Sequence, residues 1–174
     1  MRRLYYDFLD IVHYIDFFTE AEYNEMYNEL MMICVDEIMI DAKEAGGALD
    51  ANGVMLRNNK GLPIESMMED SSIIRIFNNK MPFPCNEYKS VSHLVNYYTE
   101  GHYYGFHRDK SEFTAIAVFE AKKYTGGELT FRHEYGRIIP ELRPRDLIIF
   151  PGNLEHSVSP VVGGNRISVS RFMK

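Results

Sequence analysis

FTAIAVFEA (residues 113–121) is one of six short runs whose β-branched and aromatic residues are typical of strands. The others are SVSHLVNYY (90–98), GELTF (127–131), LIIF (147–150), HSVSPVV (156–162) and NRISVSRF (165–172). Turn signals such as Gly126-Gly127 and Pro151-Gly152-Asn153 separate them. Short strands at this spacing predict an antiparallel sandwich, jelly roll or barrel.

The residues before these runs favour helices. Apolar residues recur at three- and four-residue spacing between Thr19 and about Ala45, which predicts one long helix. Thr19 and Glu22 form a capping box at its start, and Gly46-Gly47 supplies a stop. This helix is expected to support the β-core.

Two weaker elements are expected between this helix and the β-rich part. The apolar run Val54 to Leu56 lies between turn residues and predicts a strand. Residues 64–77 predict a second helix. Pro82 and Pro84 then end what precedes them, because proline cannot continue a helix. These prolines also suggest that residues 80–88 form a lid.

The length and composition fit a single domain over residues 1–174. The chain is 45% hydrophobic, which is enough for one sizeable core. We expect a mostly β fold with supporting helices (α+β), in which residues 1–80 form a helical support region and residues 81–174 form the β-core.

Charge and cysteine content favour an acidic protein of the cytoplasm. The 19 basic and 25 acidic residues give a formal net charge of −6, which disfavours nucleic acid as a partner. Acidic residues interrupt the apolar N-terminal stretch, so no signal peptide is expected, and no run reaches the roughly 18 apolar residues of a membrane span. Cys34 and Cys85 form no C-x-x-C pair.

Three residues suggest a metal site. His107 and Asp109 are two positions apart, so in an extended segment their side chains project to the same side. His156 follows the run LIIFPGN and supplies a second imidazole. Two histidines and one carboxylate on one face of a metal are typical of non-haem Fe(II) sites that react with oxygen. Zinc could use the same ligands.

Arg166 and Ser168 favour iron over zinc, since a zinc site would leave this pair without a role. They are two positions apart in the last strand-like run and should also share a side. A guanidinium can bind a carboxylate through two parallel hydrogen bonds. The pair therefore suits the distal carboxylate of 2-oxoglutarate, whose 2-oxo acid end can chelate iron.

YTEGHYYGFHRD (residues 98–109) fits the pattern Y-x-x-G-x-x-Y-x-x-H-x-D with every spacing kept. This run resembles the prolyl 4-hydroxylase-like branch of the 2-oxoglutarate/Fe(II) oxygenases. The segments GGELTF (126–131) and DLIIFPG (146–152) resemble the strands around the distal histidine. The match covers the chain from Tyr98 onward, and LRNNK (56–60) resembles a segment of some small members.

The resemblance implies a double-stranded β-helix, or jelly roll, that uses Fe(II), 2-oxoglutarate and O2, with ascorbate as reductant. It implies decarboxylation of 2-oxoglutarate to succinate and hydroxylation of a prolyl residue in a peptide or protein. By the same matching, Tyr98 would face the 2-oxoglutarate pocket and Tyr104 the substrate. Phe172 stands where relatives often have tryptophan. For these three aromatic residues, packing in the core is an equal alternative.

Two positions depart from the family pattern. Arg145 replaces a usual glycine before Asp146, and Val118 replaces a tyrosine that often helps to hold the cosubstrate. Cosubstrate contacts are therefore expected to differ in detail. The remaining histidines, His13, His93, His102 and His133, are expected to be structural or exposed to solvent.

Other functions stay open at this point. The protein could hydroxylate a free amino acid or another small molecule, or it could be a non-catalytic jelly-roll module that binds metal. Demethylation of nucleic-acid bases is disfavoured by the acidic charge balance. The sequence indicates neither the oligomeric state nor the substrate.

Overall fold

The computed structural model describes residues 2–35, 39–45, 49–50, 52–64, 70–82, 88–134 and 136–174. Its helices are α1 (Glu20–Val35), α2 (Ser72–Lys80) and a 3-10 turn (Asp7–Leu9). Its strands are β1 (Arg2–Tyr6), β2 (Ile11–Ile15), β3 (Ile40–Asp41), β4 (Lys60–Pro63), β5 (Val91–Tyr98), β6 (Tyr104–His107), β7 (Phe113–Lys122), β8 (Thr125–Gly126), β9 (Leu129–His133), β10 (Gly136–Ile138), β11 (Leu147–Pro151), β12 (Glu155–Val158), β13 (Val161–Val162) and β14 (Asn165–Met173).

The strands form two main antiparallel sheets. The large sheet has eight strands in the order β1-β2-β11-β7-β14-β5-β4-β3. The small sheet has four strands in the order β10-β9-β12-β6, and β8 pairs with β13 as a separate ribbon. This arrangement confirms the predicted antiparallel, mostly β fold with supporting helices.

The large sheet is buried on both faces, which explains the nearly continuous apolar sequence of its central strands. In β7, Ala115, Ala117 and Phe119 belong to the core cluster that contains the helical residues. The alternate residues Ile116 and Val118 belong to a second cluster with residues of the small sheet. Because successive side chains of a strand point to opposite faces, one strand contributes to both cores.

The first 80 residues were predicted to be a helical support. They also contain β1 to β4, which form the two ends of the large sheet. β2 pairs with β11, and β4 pairs with β5. The N-terminal region therefore extends the sheet by backbone hydrogen bonding, in addition to covering it with helices.

The predicted long helix starts correctly but is shorter than expected. Thr19 accepts a hydrogen bond from the Glu22 backbone N–H (3.2 Å), and the Glu22 carboxylate accepts one from the Thr19 N–H (2.8 Å), which confirms the capping box. The prediction to Ala45 is wrong, because Ile40–Asp41 form strand β3 against β4. The Gly46-Gly47 stop lies outside the described residues.

The two weaker predictions also need correction. Val54 to Leu56 form no strand, since Met55 makes only an isolated bridge with Leu49. The second helix is Ser72–Lys80, and Ser71 caps its start: the Ser71 hydroxyl accepts a hydrogen bond from the Ile74 N–H. Residues 65–69 of the predicted helix and residues 83–87 of the predicted lid lie outside the described residues.

α2 ends at Lys80, directly before Met81 and Pro82, as the proline signal indicated. Among the described residues, no helix is long and apolar enough to cross a membrane.

Candidate active site

The three predicted metal ligands meet between two neighbouring strands of the small sheet. His107 ends β6, Asp109 follows two residues later, and His156 lies opposite His107 in the β6–β12 ladder. The Nε2 atoms of His107 and His156 lie 3.8 Å and 3.5 Å from the Asp109 carboxylate oxygens. One donor atom from each residue lies within 4.8 Å of the other two.

Backbone carbonyls set the protonation of both imidazoles. The Nδ1 atom of His107 lies 2.8 Å from the Gly105 oxygen, and that of His156 lies 2.9 Å from the Leu154 oxygen. A carbonyl can only accept, so each Nδ1 carries the proton and each Nε2 keeps a lone pair for a metal. Burial and the neighbouring His156 lower the pKa of His107 to about 3, which keeps its ring neutral at pH 7.

Asp109 is held by a hydroxyl from the large sheet. The Thr114 hydroxyl donates to Asp109 Oδ2 at 2.6 Å, and the Ser111 and Thr114 hydroxyls lie 2.9 Å apart. The Asp109 N–H donates to the Gly152 carbonyl at 2.8 Å. A Cβ at Gly152 would lie 2.1 Å from the Ser111 carbonyl oxygen, so only glycine permits this close approach of the two loops.

An aromatic and cationic stack covers one side of the ligand cluster. The ring of Tyr104 lies parallel to that of His107, with 3.6 Å between centroids, and the Arg57 guanidinium lies 5.2 Å from the Tyr104 centroid. The segment containing Arg57 is held beside β6 because the Gly105 N–H donates to the Leu56 carbonyl at 2.6 Å. Asn58 adds a hydrogen bond from the Tyr103 N–H at 2.7 Å.

The predicted carboxylate-binding pair lies on the inner face of β14. Arg166 is 1% exposed, and its Nη1 atom donates to the Ser168 hydroxyl at 3.1 Å. Its guanidinium carbon lies 5.1 Å from the ring centre of Tyr98, which is also buried. Burial raises the pKa of Tyr98 to about 12, although the positive charge of Arg166 opposes the shift.

Arg166 lacks an anionic partner within the part of the chain that the structure describes. No described carboxylate lies within ion-pair distance of it, and its buried Nε has no hydrogen-bond acceptor there. An unpaired buried charge is costly, so this guanidinium suits an anionic ligand.

The ligand cluster and the arginine share one cavity. It is lined by the three metal-ligand candidates, by Arg166 and Ser168, and by the three softer predictions Tyr98, Tyr104 and Phe172. The structure thus brings together every residue that the sequence assigned to the site. The specific roles of these residues remain predictions.

The other four histidines lie outside the ligand cluster. His13 is buried 3.0 Å from Asp146, and His93 is buried beside Arg171. The Nδ1 atom of His102 accepts a hydrogen bond from the Thr99 N–H at 3.2 Å. The expectation that these three histidines are structural agrees with their contacts.

Three contacts around the site were missed by the sequence interpretation. Thr114 holds Asp109, Arg57 stacks on Tyr104, and Tyr124 packs beside Arg166. A search for a hydroxyl on the strand after the H-x-D motif would have found Thr114. Neither Arg57 nor Tyr124 lies at a regular spacing from the ligands, so no periodic signal points to them.

The two departures from the family pattern affect different parts of the structure: Arg145 affects the backbone of a turn, and Val118 affects the wall of a cavity. Arg145 has a φ of +73°, so it adopts the left-handed conformation that glycine adopts without strain. Val118 lies opposite Ser168 in the β7–β14 ladder and contributes an apolar wall at the position where the family pattern often has a tyrosine.

The donor set fits a non-haem Fe(II) ion. Two neutral imidazoles with free Nε2 atoms and one carboxylate supply three ligands. This leaves other coordination positions open for a chelating 2-oxo acid and oxygen. The hydrogen bonds from both Nδ1 atoms and from Thr114 fix the ligands from behind, which is how metal sites orient their donors.

The proteins with similar sequences are described as oxygenases or hydroxylases. A sequence profile described as the 2OG-Fe(II) oxygenase superfamily matches residues 92–174. A PKHD-type hydroxylase from Janthinobacterium sp. (strain Marseille) is 34% identical over 43% of this chain and 39% of its own length. Another, from Herminiimonas arsenicoxydans, is 30% identical over 74% of this chain. The chain spans 64% of that relative.

Solved structures share the fold at low sequence identity. A prolyl-4-hydroxylase from Pseudomonas putida superimposes with a TM-score of 0.70 at 16% identity, covering 95% of this chain and 92% of the other. A Trichoplax adhaerens prolyl hydroxylase, solved with a hypoxia inducible factor peptide, gives 0.70 at 14% identity, covering 94% and 82%.

Proposed function

We propose that the chain belongs to the 2OG-Fe(II) oxygenase superfamily, whose profile matches residues 92–174, and that it is an Fe(II)- and 2-oxoglutarate-dependent dioxygenase that hydroxylates a prolyl residue in a peptide or protein. One observation carries the proposal: a single cavity contains a cluster of three potential metal ligands and a buried arginine. Among the described residues, that arginine has no anionic partner.

One set of residues would bind the metal, and another would bind the cosubstrate. His107, Asp109 and His156 would hold the iron, and Arg166 with Ser168 would bind the distal carboxylate of 2-oxoglutarate. An iron ion held by these residues would supply the oxidising chemistry that couples decarboxylation of 2-oxoglutarate to hydroxylation. Tyr98 forms one wall beside Arg166, and Tyr104 stacks on His107 at the side proposed for the substrate.

A prolyl substrate is supported by the names of similar proteins. The relatives are named PKHD-type hydroxylases, and one structural neighbour is a prolyl hydroxylase in complex with a peptide. Ascorbate as a reductant and a cytoplasmic location also belong to the proposal. The location rests on Cys34 and Cys85, which lie far apart in the sequence, form no C-x-x-C pair and are interpreted as free thiols of a reducing compartment.

Succinate formation tests the proposal. Purified protein would be incubated with 2-oxoglutarate, Fe(II), ascorbate and O2, together with proline-containing peptides, the same peptides with alanine for proline, or free amino acids. We expect succinate and a hydroxylated peptide in equal amounts, and only when both Fe(II) and proline are present.

Other outcomes would support a different function. Succinate that rises with a free amino acid but with no peptide would favour a small-molecule hydroxylase. No succinate, together with no binding of 2-oxoglutarate, would favour a non-catalytic metal-binding module.

A further inference from the structure

Tyr124 lies beside Arg166 but does not line the cavity that contains the metal-ligand candidates. It lies between β7 and β8 and is half-buried. Tyr124 and Arg166 both line a second cavity, next to the one that contains the ligand cluster. Of these two residues, only Arg166 also lines the ligand-cluster cavity, so its guanidinium stands in the wall between them.

Gly127, three residues after Tyr124, leaves room for the side chains of Tyr124 and Arg166. Gly127 has a φ of +61°, and a Cβ there would lie 2.8 Å from Arg166 Cδ and 3.2 Å from Tyr124 Cε2. The arginine stem and the tyrosine ring therefore both lie close against this glycine. A larger residue at position 127 would displace one of them.

The tyrosine supplies a polar group that the neighbouring strand lacks. Its ring lies beside the Arg166 stem at Gly127; burial raises the pKa of the Tyr124 hydroxyl, and the charge of Arg166 with its side-chain hydrogen bond opposes that shift. Val118, directly opposite Ser168 on the neighbouring strand, has no hydrogen-bonding group. Ser168 accepts from Nη1, and Tyr98 packs on the guanidinium. A guanidinium has five N–H donors, so these contacts fix its plane and leave donors for a carboxylate.

We propose that Tyr124 is a positioning residue for cosubstrate binding: its hydroxyl holds Arg166 in the orientation that receives the distal carboxylate of 2-oxoglutarate. This inference rests on the proposed function. The side-chain orientation matters because a two-pronged hydrogen bond to a carboxylate requires the guanidinium plane to face it. Tyr124 thus performs, from a turn, a task for which Val118 has no suitable group.

The test measures ligand binding in the 174-residue chain, with Mn(II) as a redox-inert replacement for Fe(II). Calorimetry would compare wild type and Tyr124→Phe for 2-oxoglutarate and for 2-oxobutanoate, the same 2-oxo acid without the distal carboxylate. We expect Tyr124→Phe to weaken 2-oxoglutarate binding about tenfold, which is typical for loss of one hydrogen bond to a charged group. Binding of 2-oxobutanoate should change less than about twofold, because it has no distal carboxylate to meet Arg166.

Tyr97→Phe is the matched control. The Tyr97 hydroxyl accepts a hydrogen bond from Asn165, next to Arg166 in sequence, at 2.8 Å. This variant should keep wild-type affinity for both ligands. Equal affinity of wild type and Tyr124→Phe for 2-oxoglutarate would overturn the inference. So would an equal loss for both ligands, which would indicate a general structural defect. Failure of the wild type to bind 2-oxoglutarate would instead reject the proposed function.

Discussion

At the scale of single residues, the metal site depends on which ring nitrogen of each histidine is free. The carbonyls of Gly105 and Leu154 accept hydrogen bonds from the protonated Nδ1 atoms, so both Nε2 atoms face the carboxylate of Asp109 with lone pairs. The close His107–Asp109 contact is therefore a pair of potential ligands and not an ion pair at pH 7, since the pKa of His107 is far below 7.

His93 gives a prediction about pH. Burial, followed by the charge of Arg171, lowers its pKa from the ordinary 6.5 to about 3. Below about pH 6.5 the unfolded chain therefore binds a proton that the folded protein does not, and the free energy of unfolding falls until about pH 3. The free energy of unfolding of the metal-free wild type should fall between pH 7 and pH 5. We expect this fall to be about 1–2 kcal/mol smaller in His93→Gln.

Urea unfolding of wild type and His93→Gln at pH 7 and pH 5 measures this effect. His107 contributes with the same sign, because its pKa is lowered in the same direction, so the variant should keep part of the pH dependence. An identical pH dependence in both proteins would show that His93 is not held neutral by the fold.

Two of the three metal-ligand candidates and the carboxylate-binding pair could be grouped from sequence because the members of each pair are two positions apart. Side chains two positions apart in a strand project to the same face. His107 could therefore be grouped with Asp109, and Arg166 with Ser168, without knowledge of the tertiary structure. Thr114, Arg57 and Tyr124 could not be found this way. They reach the site from other strands or turns, and only the pairing of those elements brings them close.

At the scale of elements, a buried carboxylate joins the two helices. Glu29 of α1 is 8% exposed and accepts hydrogen bonds from the Ser71 hydroxyl (2.6 Å), the Ser72 hydroxyl and the Ile73 N–H (3.2 Å). A negative charge at the start of α2 is also favourable because the first turn of a helix has unpaired N–H groups.

Replacing Glu29 should therefore destabilise the protein. We expect Glu29→Ala to lower the free energy of unfolding by about 2–3 kcal/mol, since it removes hydrogen bonds to a buried charge. Glu25→Ala is the matched control, because Glu25 pairs with Arg75 at the surface, where such pairs contribute less than about 1 kcal/mol. Urea unfolding at pH 7 would compare them, and equal losses would contradict the assigned role of Glu29.

Strand prediction succeeded for the strongly apolar central strands and failed for short or exposed strands. The central strands are apolar on both faces, so their sequences were recognised. β1 is an exposed end strand, and β3 has only two residues, so neither carries an apolar signal. The extra helical length predicted beyond Val35 was wrong because Ile40 and Asp41 instead pair with β4, a contact that local periodicity does not report.

At the scale of the whole molecule, the site lies between two sheets that depend on pairings distant in sequence. β14 lies between β5 and β7 and presents Arg166, while β6 and β12 present the two histidines. The sequence predicted the class of fold and the end of the chain that carries the site. It did not predict that the N-terminal strands complete the large sheet, because β2 meets β11 about 130 residues later.

The central claim is that His107, Asp109 and His156 hold one divalent metal ion. The most direct test is anaerobic titration of the metal-free protein with Fe(II), measured as bound metal per chain after removal of free ion. Wild type should bind one equivalent, His107→Ala should lose at least about tenfold in affinity, and the nearby His102→Ala should bind as wild type does. Equal binding by wild type and His107→Ala would contradict the site.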